Sequence, residues 1–322
     1  FPTEEVDRLR SQRLAAIQQR RNDPGSLADD ASVHFIYSHS SPYHRPLAGT
    51  QASVEMKGRE DILAFVQANY TPSGSAMVVV GDVQKSEIEA MARDHFGGWE
   101  GGPRPAMTLV AKPRSSGGRV VIVDRPGAVQ SEIRIGQVGV GRSTPDFFPL
   151  KIFNTVLGGA FTSRLMLNLR EERGYTYGVR SRFSHRRGAG PFKISMAVAT
   201  EVTAPAVEAA LGELKGLLES GPDESEVDRA RDYIAGTFPL HLETTGQVAA
   251  RITELQVYGL PDDFFGTYRD RIRGVSTAEA HDAGRRILNP EELTVLVAGD
   301  AEAVEKPLKD LGFGPVEVVS EV

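Results

Sequence analysis

Glu5-Val6-Asp7-Arg8, with Pro2 ahead of it, returns as Glu226-Val227-Asp228-Arg229, with Pro222 ahead of it, 221 positions later. Further along each copy, Val78-Val79-Val80-Gly81-Asp82 is answered by Val295-Leu296-Val297-Ala298-Gly299-Asp300, and the two Gly-Asp pairs are 218 apart. Two matches in one order and at nearly one spacing indicate a duplicated unit. The second copy opens at the apolar run Arg119–Asp124, behind a stretch carrying Gly101, Gly102, Pro103, Pro105, Pro113, Gly117 and Gly118, a linker composition. The matching start of the first copy then falls about 100 residues ahead of Phe1. The expected organisation is the rear half of one unit at 1–108, a linker at 109–118 and a whole unit at 119–322.

Composition narrows the function classes. The chain has 322 residues with 37 Lys and Arg against 43 Asp and Glu, a net charge of −6. That balance argues against a nucleic-acid partner. There is no cysteine, which removes disulfides, thiolate metal sites and cysteine nucleophiles. No apolar run approaches the roughly 18 residues of a membrane span. Phe1 is not an initiator methionine, so residues are expected ahead of it.

Periodicity reads as α+β. Helices are expected at 3–20, 26–39, 58–69 and 86–96, with a strand at Ala76–Val80. In the second unit, strands are expected at 120–123, 131–139, 179–184, 192–199 and 293–298. Helices are expected there at 145–157, 162–173, 203–219, 223–240, 243–259, 261–274 and 277–287. Paired strands between helical hairpins imply an antiparallel sheet with helices on one face.

The stretch Leu157-Gly158-Gly159, Thr162-Ser163-Arg164-Leu165 and Leu169-Arg170-Glu171-Glu172-Arg173-Gly174-Tyr175-Thr176-Tyr177-Gly178 resembles the second domain of the insulinase or pitrilysin family of zinc metallopeptidases, which includes the mitochondrial processing peptidases. Ser41-Pro42-Tyr43-His44-Arg45-Pro46-Leu47-Ala48-Gly49-Thr50, Val80-Gly81-Asp82, Gly97-Gly98-Trp99, Asp124-Arg125-Pro126 and Gln130-Ser131 extend the likeness over nearly the whole chain. The resemblance implies two homologous α+β units. It also implies a zinc site in the first, with H-x-x-E-H on one helix and a further Glu on a later one.

None of the seven histidines, His34, His39, His44, His95, His185, His241 and His281, forms H-x-x-E-H. By the repeat offset, that helix would precede Phe1. The distal Glu would fall near Ala15-Ala16, and no acid stands between Asp7 and Asp23. No metal or cofactor is therefore expected in this chain, zinc being expected in a partner chain or in the missing N-terminal part. The family's other site element is an Arg and a Tyr seven apart, matched by Arg170 and Tyr177, with Tyr175 as the competing tyrosine. In the family the Arg binds a substrate carbonyl and the Tyr hydroxyl stabilises an oxyanion. Gly174 is expected to end the intervening helix.

Blander readings stand beside these. Arg170 could pair along its own helix and Tyr177 could sit in a strand core. His39 and His44 could be a metal pair or loop packing. Gly158-Gly159 reads as a tight turn between helices. Arg180, Arg182, His185, Arg186 and Arg187 could draw an acidic peptide or form a solvated hairpin. Arg13, Arg20 and Arg21 read as a solvated face, and Leu167 and Leu169 as core.

The resemblance supports a subunit that is inactive alone, binds a peptide substrate and dimerises with a zinc-bearing family member. The alternatives are a fragment of a single-chain zinc endopeptidase and a non-proteolytic scaffold subunit. A bacterial periplasmic or envelope location is expected from family habit alone.

Overall fold

The computed structural model describes residues 1–103 and 109–320. Pro105, part of the linker composition, lies outside them. In chain order come α1 (Thr3–Asn22), α2 (Pro24–Ile36), α3 (Gln51–Glu55), α4 (Arg59–Asn69), α5 (Lys85–Phe96), β1 (Arg119–Asp124), β2 (Gln130–Val138) and α6 (Phe147–Asn154). Then follow β3 (Val179–Phe183), β4 (Pro191–Ala199), α7 (Thr203–Ser220), α8 (Glu224–Thr237), α9 (Thr245–Tyr258), α10 (Tyr268–Arg273), α11 (Thr277–Ile287), β5 (Thr294–Gly299), α12 (Ala301–Asp310) and β6 (Val316–Val319).

Contacts divide the chain into two units of interleaved segments. One holds Phe1–Ile17, Ala48–Thr108 and Gly236–Tyr268; the other holds Gln18–Leu47, Leu109–Ala235 and Arg269–Val322. Gly236 lies 218 positions after Gln18 and Tyr268 lies 221 after Leu47, the offsets of the sequence repeat. Each unit thus takes the same piece, one containing α2 and the other α9, from the opposite half of the sequence.

The larger unit is built on a six-stranded sheet in the order β3-β4-β2-β5-β1-β6. The α+β class is as expected, but the sheet is mixed rather than antiparallel. β3, β4, β2 and β5 pair antiparallel, whereas β1 is parallel to both β5 and β6. β5 and β6 return beside β1 after helical crossovers, and such connections make parallel neighbours. β6 was not expected from the sequence, because four residues carry too little periodicity.

Helices cover both faces, not one. β5 is buried at every residue and β1 at its four central ones, the continuous apolar pattern of strands covered twice. Ala28, Ala31 and Phe35 of α2 pack on Val121, Val123, Leu296 and Ala298. Ser131, on the other face, accepts a hydrogen bond from Thr203 Oγ1 of α7 at 2.8 Å. The cover from α2 comes from a segment far upstream, so local pattern could not reveal it. α2 itself ends at Ile36, and Tyr37 turns out to bridge Pro113.

A polar anchor sits among these apolar contacts. Arg134 of β2 is 6% exposed and donates to Asp29 at 3.0 Å, Glu132 at 2.8 Å and the Gly25 carbonyl at 3.1 Å. Lys193 of β4 also donates to Asp29, at 2.8 Å. Burial alone would raise the Asp29 pKa, but the bonds and charges of Lys193 and Arg134 outweigh it and hold the carboxyl below its ordinary value.

The smaller unit is held by local signals. Thr50 with Ser53, and Thr244 with Gln247, form reciprocal caps on α3 and α9. Yet α3, α4, α5 and α9 bury no residue. Phe65, Met91 and Phe96 stand more than half exposed. The strand expected at Ala76–Val80 is not formed, and Met77 and Val79 are exposed. Its repeat mate β5 lies between β2 and β1, whereas the described residues of this unit contain no strand to pair with Ala76–Val80. An extended segment without a neighbour has no ladder to join. Several helices also differ in extent or type, among them that expected at 145–157, which turns π-helical after Asn154. That expected at 261–274 is reduced to Tyr268–Arg273, and that at 162–173 is a π-helix over Met166–Glu172.

Two predictions follow from this packing. Because the folded-state pKa of Asp29 is depressed, its contribution is complete above the unfolded value near 3.9 and is lost as pH falls through the lower folded value. Asp29→Asn should therefore lower stability near neutral pH by about 1 kcal/mol, discounted for its partial exposure, and flatten the acid limb of a urea titration series. Second, amide hydrogen exchange in α4 and α5 should be at least roughly 10²-fold faster than in β5, because their helical bonds have no buried cover. Equal protection would contradict that packing.

Candidate functional site

The candidate site lies in the larger unit, between α6 and β3. The chain leaves α6 through a π-helical turn at Thr155–Gly159, where Gly158 departs from helical geometry. A Cβ on Gly158 would stand 2.6 Å from the Ser181 amide nitrogen of β3, so only glycine permits this approach. Asn154 Nδ2 donates to the Ser181 carbonyl at 3.1 Å, and the Val179 amide donates to Met166 Sδ at 3.4 Å. The backbone of β3, the edge strand of the sheet, is thus engaged at two of its groups.

Arg170 projects from the second π-helical segment, Met166–Glu172. Its guanidinium lies 4.7 Å from the Phe161 ring centroid, a cation–π contact, and 3.5 Å from Glu171. Both partners are well exposed, so the ion pair holds Arg170 only weakly. Gly174 has φ +65°, and the amides of Gly174 and Tyr175 return to the carbonyls of Arg170 and Leu169. This is the glycine-terminated helix end expected from the sequence.

Thr176 then fixes the following loop. Its hydroxyl donates to the Ala197 carbonyl at 2.7 Å and accepts from the Gly178 amide at 3.1 Å. Tyr177, between these two tied residues, is 96% exposed and lies in the loop ahead of β3 rather than in it. A strand-core role for Tyr177 is excluded. Tyr175 is only partly exposed and lies 5.9 Å from the Arg173 guanidinium. Arg170 and Tyr177 therefore sit at the two ends of one short, tied turn.

The other sequence candidates separate. His34, His39 and His44 cluster with ring centroids 5.1–5.5 Å apart. Burial first, then the charges of Arg114, His44 and His39, hold the His34 pKa down at about 4. Among the described residues, no group of three or more His, Cys, Asp or Glu side chains is arranged to hold a metal ion. Ala15 and Ala16 are exposed on α1 and carry no ligating atom, so the residues present do not fit the zinc site of the resembled family.

The basic cluster also divides. Arg180 and Arg182 are exposed, whereas His185 lies between the rings of Phe147 and Phe183. Burial first, and then the charges of Arg142 and Lys151, hold its pKa at about 4, so it adds no charge near neutral pH. Leu169 is core and Leu167 is exposed. Arg20 pairs with Asp30 at 2.9 Å. Sequence reasoning missed Phe161 as the support for Arg170, and its place two residues after Gly159 was the available signal.

No helix among the described residues is long and apolar enough to cross a membrane. An uncharacterized zinc protease of Mycobacterium tuberculosis is 27% identical over 279 residues, 86% of this chain and 63% of that protein. The chain thus spans under two-thirds of the length of such relatives. A Helicobacter pylori protein named a non-peptidase homolog is 22% identical, covering 93% of this chain and 69% of its own. A crystal structure of a peptidase M16 inactive domain from Pseudomonas fluorescens superposes with a TM-score of 0.87 at 24% identity, over 93% of this chain and 71% of that one. The family model described as the peptidase M16 inactive domain matches residues 58–234, more than half of the chain, and the chain belongs to that family.

Proposed function

We propose that this chain supplies the peptide-binding half of a divided zinc peptidase and does not cleave peptides by itself. The observation that carries the reading is the posture of Tyr177. A tyrosine fully exposed to water, on a loop tied on both sides by Thr176, contributes nothing to its own fold. It is preorganised for something outside its unit. Arg170, backed by Phe161, provides a cation at the other end of the same turn.

The chemistry follows from those two groups. The Arg170 guanidinium donates hydrogen bonds to a backbone carbonyl of an extended peptide and fixes its position. The Tyr177 hydroxyl donates to the carbonyl oxygen that gains negative charge as the bond is attacked. In this reading the zinc and the attacking water come from a partner chain of the same family. The division at 108 and 119 is part of this reading: the second copy of the repeat carries Arg170 and Tyr177, and the part of the first copy present here has no acid between Asp7 and Asp23.

One observation favours a second reading. Relatives named zinc proteases extend well beyond the matched region, so a longer product carrying its own metal helix is the alternative. Metal analysis of that longer product separates the two, about one zinc per chain supporting the alternative and none removing it.

With a zinc-bearing family member added, Tyr177→Phe should lower turnover of a fluorogenic peptide by roughly 10²-fold. Its melting temperature should not move, because the hydroxyl makes no hydrogen bond among the described residues. Unchanged turnover in the mixture would remove the role given to Tyr177. Arg170→Ala should weaken peptide binding, read as a raised KM, and this variant too should keep its melting temperature.

A further inference from the structure

Beside Arg170 the larger unit contains a recess of about 150 Å³ lined mainly by Val156, Ala160, Phe161, Ala230 and Tyr233, with Arg229 also among its lining residues. Its floor and walls are mainly apolar. A void of this size between apolar side chains accommodates a benzene-sized group.

Both walls are fixed from behind. Ala160 and Phe161 follow the Gly158 turn, which lies against β3 too closely for any other residue. The opposite wall is α8, which carries Ala230 and Tyr233. Arg164 ties the two walls together, donating from Nε to one Glu226 oxygen at 2.8 Å and from Nη2 to the other at 2.6 Å. This bidentate pair is only partly exposed. It also consumes the acid at the rim, so Glu226 does not offer a free charge to an occupant.

Phe161 connects this recess to the candidate site. It lines the recess, is 62% exposed and carries the Arg170 guanidinium against its ring at 4.7 Å. A peptide whose carbonyl is bound by Arg170 therefore has the recess beside it.

We propose that this recess is a specificity pocket, which takes one aliphatic or phenyl side chain of the peptide that Arg170 holds. The proposal rests on the peptide-binding reading above and adds a substrate class to it: extended peptides with a Leu-, Ile-, Val- or Phe-sized residue beside the bound carbonyl. Selection between such residues and alanine comes from apolar area removed from water.

The test uses the whole chain and fluorescein-labelled capped peptides identical except for one residue, Ala, Val, Leu or Phe, with affinity read by anisotropy. The Leu and Phe peptides should bind at least about tenfold tighter than the Ala peptide. Ala160→Phe, at a partly exposed wall position, should fill the recess, abolishing that preference while leaving Ala-peptide binding intact. Tyr233→Ala should widen the recess and move the preference toward Phe, and circular dichroism checks that both variants remain folded. No preference in the parent chain, no binding of the Leu peptide up to millimolar concentration, or a preference that survives in a folded Ala160→Phe would overturn the pocket. Arg170→Ala separates the two ideas: if it leaves every affinity unchanged, the Arg170 reading fails whatever the recess does. If it weakens all peptides equally and Ala160→Phe changes none, only the pocket fails.

Discussion

The larger unit depends on covering both faces of its central strands. β1 and β5 carry apolar residues pointing both ways, and a strand of that kind cannot leave either face in water without exposing several large side chains. One face is closed from within, by α7 among others. The other is closed by α2, which comes from the far side of the linker. Asp29, Arg134 and Lys193 set the seating of α2, since a nearly buried guanidinium tolerates only a place where its donors are met. Packing of small residues, Ala28 and Ala31, lets the helix come close to the sheet while that polar cluster fixes its register.

The same constraint explains the contrast between the units. The repeat gives the smaller unit a mate for β5 and a mate for α2, but the described residues give it no sheet. Its helices are formed, because capping and helix propensity act within a few residues. Its strand is not formed, because a strand is defined by partners. Phe65, Met77, Met91 and Phe96 stay exposed in this unit.

At the candidate site, backbone geometry precedes side-chain chemistry. Gly158 permits contact with β3, a π-helical segment carries Arg170, Gly174 reverses the chain, and Thr176 ties the loop that displays Tyr177. Each device is local, and together they hold two chemically useful groups on one turn. The exposure of Tyr177 has no value for the stability of its own unit, and the proposed role in peptide binding rests on that.

Much of this was legible in the residues themselves. The repeat offset was readable from two short matches, and the segments of the two contact units start and end at the same spacing, 218 and 221. The glycine helix end and the spacing of Arg170 and Tyr177 were readable because they lie within one turn of chain. The absence of an acid near Ala15-Ala16 was readable because a carboxylate must be present to ligate. What the sequence could not decide was everything that depends on distant partners. The mixed direction of the sheet follows from where β5 and β6 return. The cover of the second face follows from α2 crossing the linker, and the support of Arg170 follows from the turn that brings Phe161 beneath it. Periodicity records which residues want to be buried, and only the tertiary structure decides what buries them.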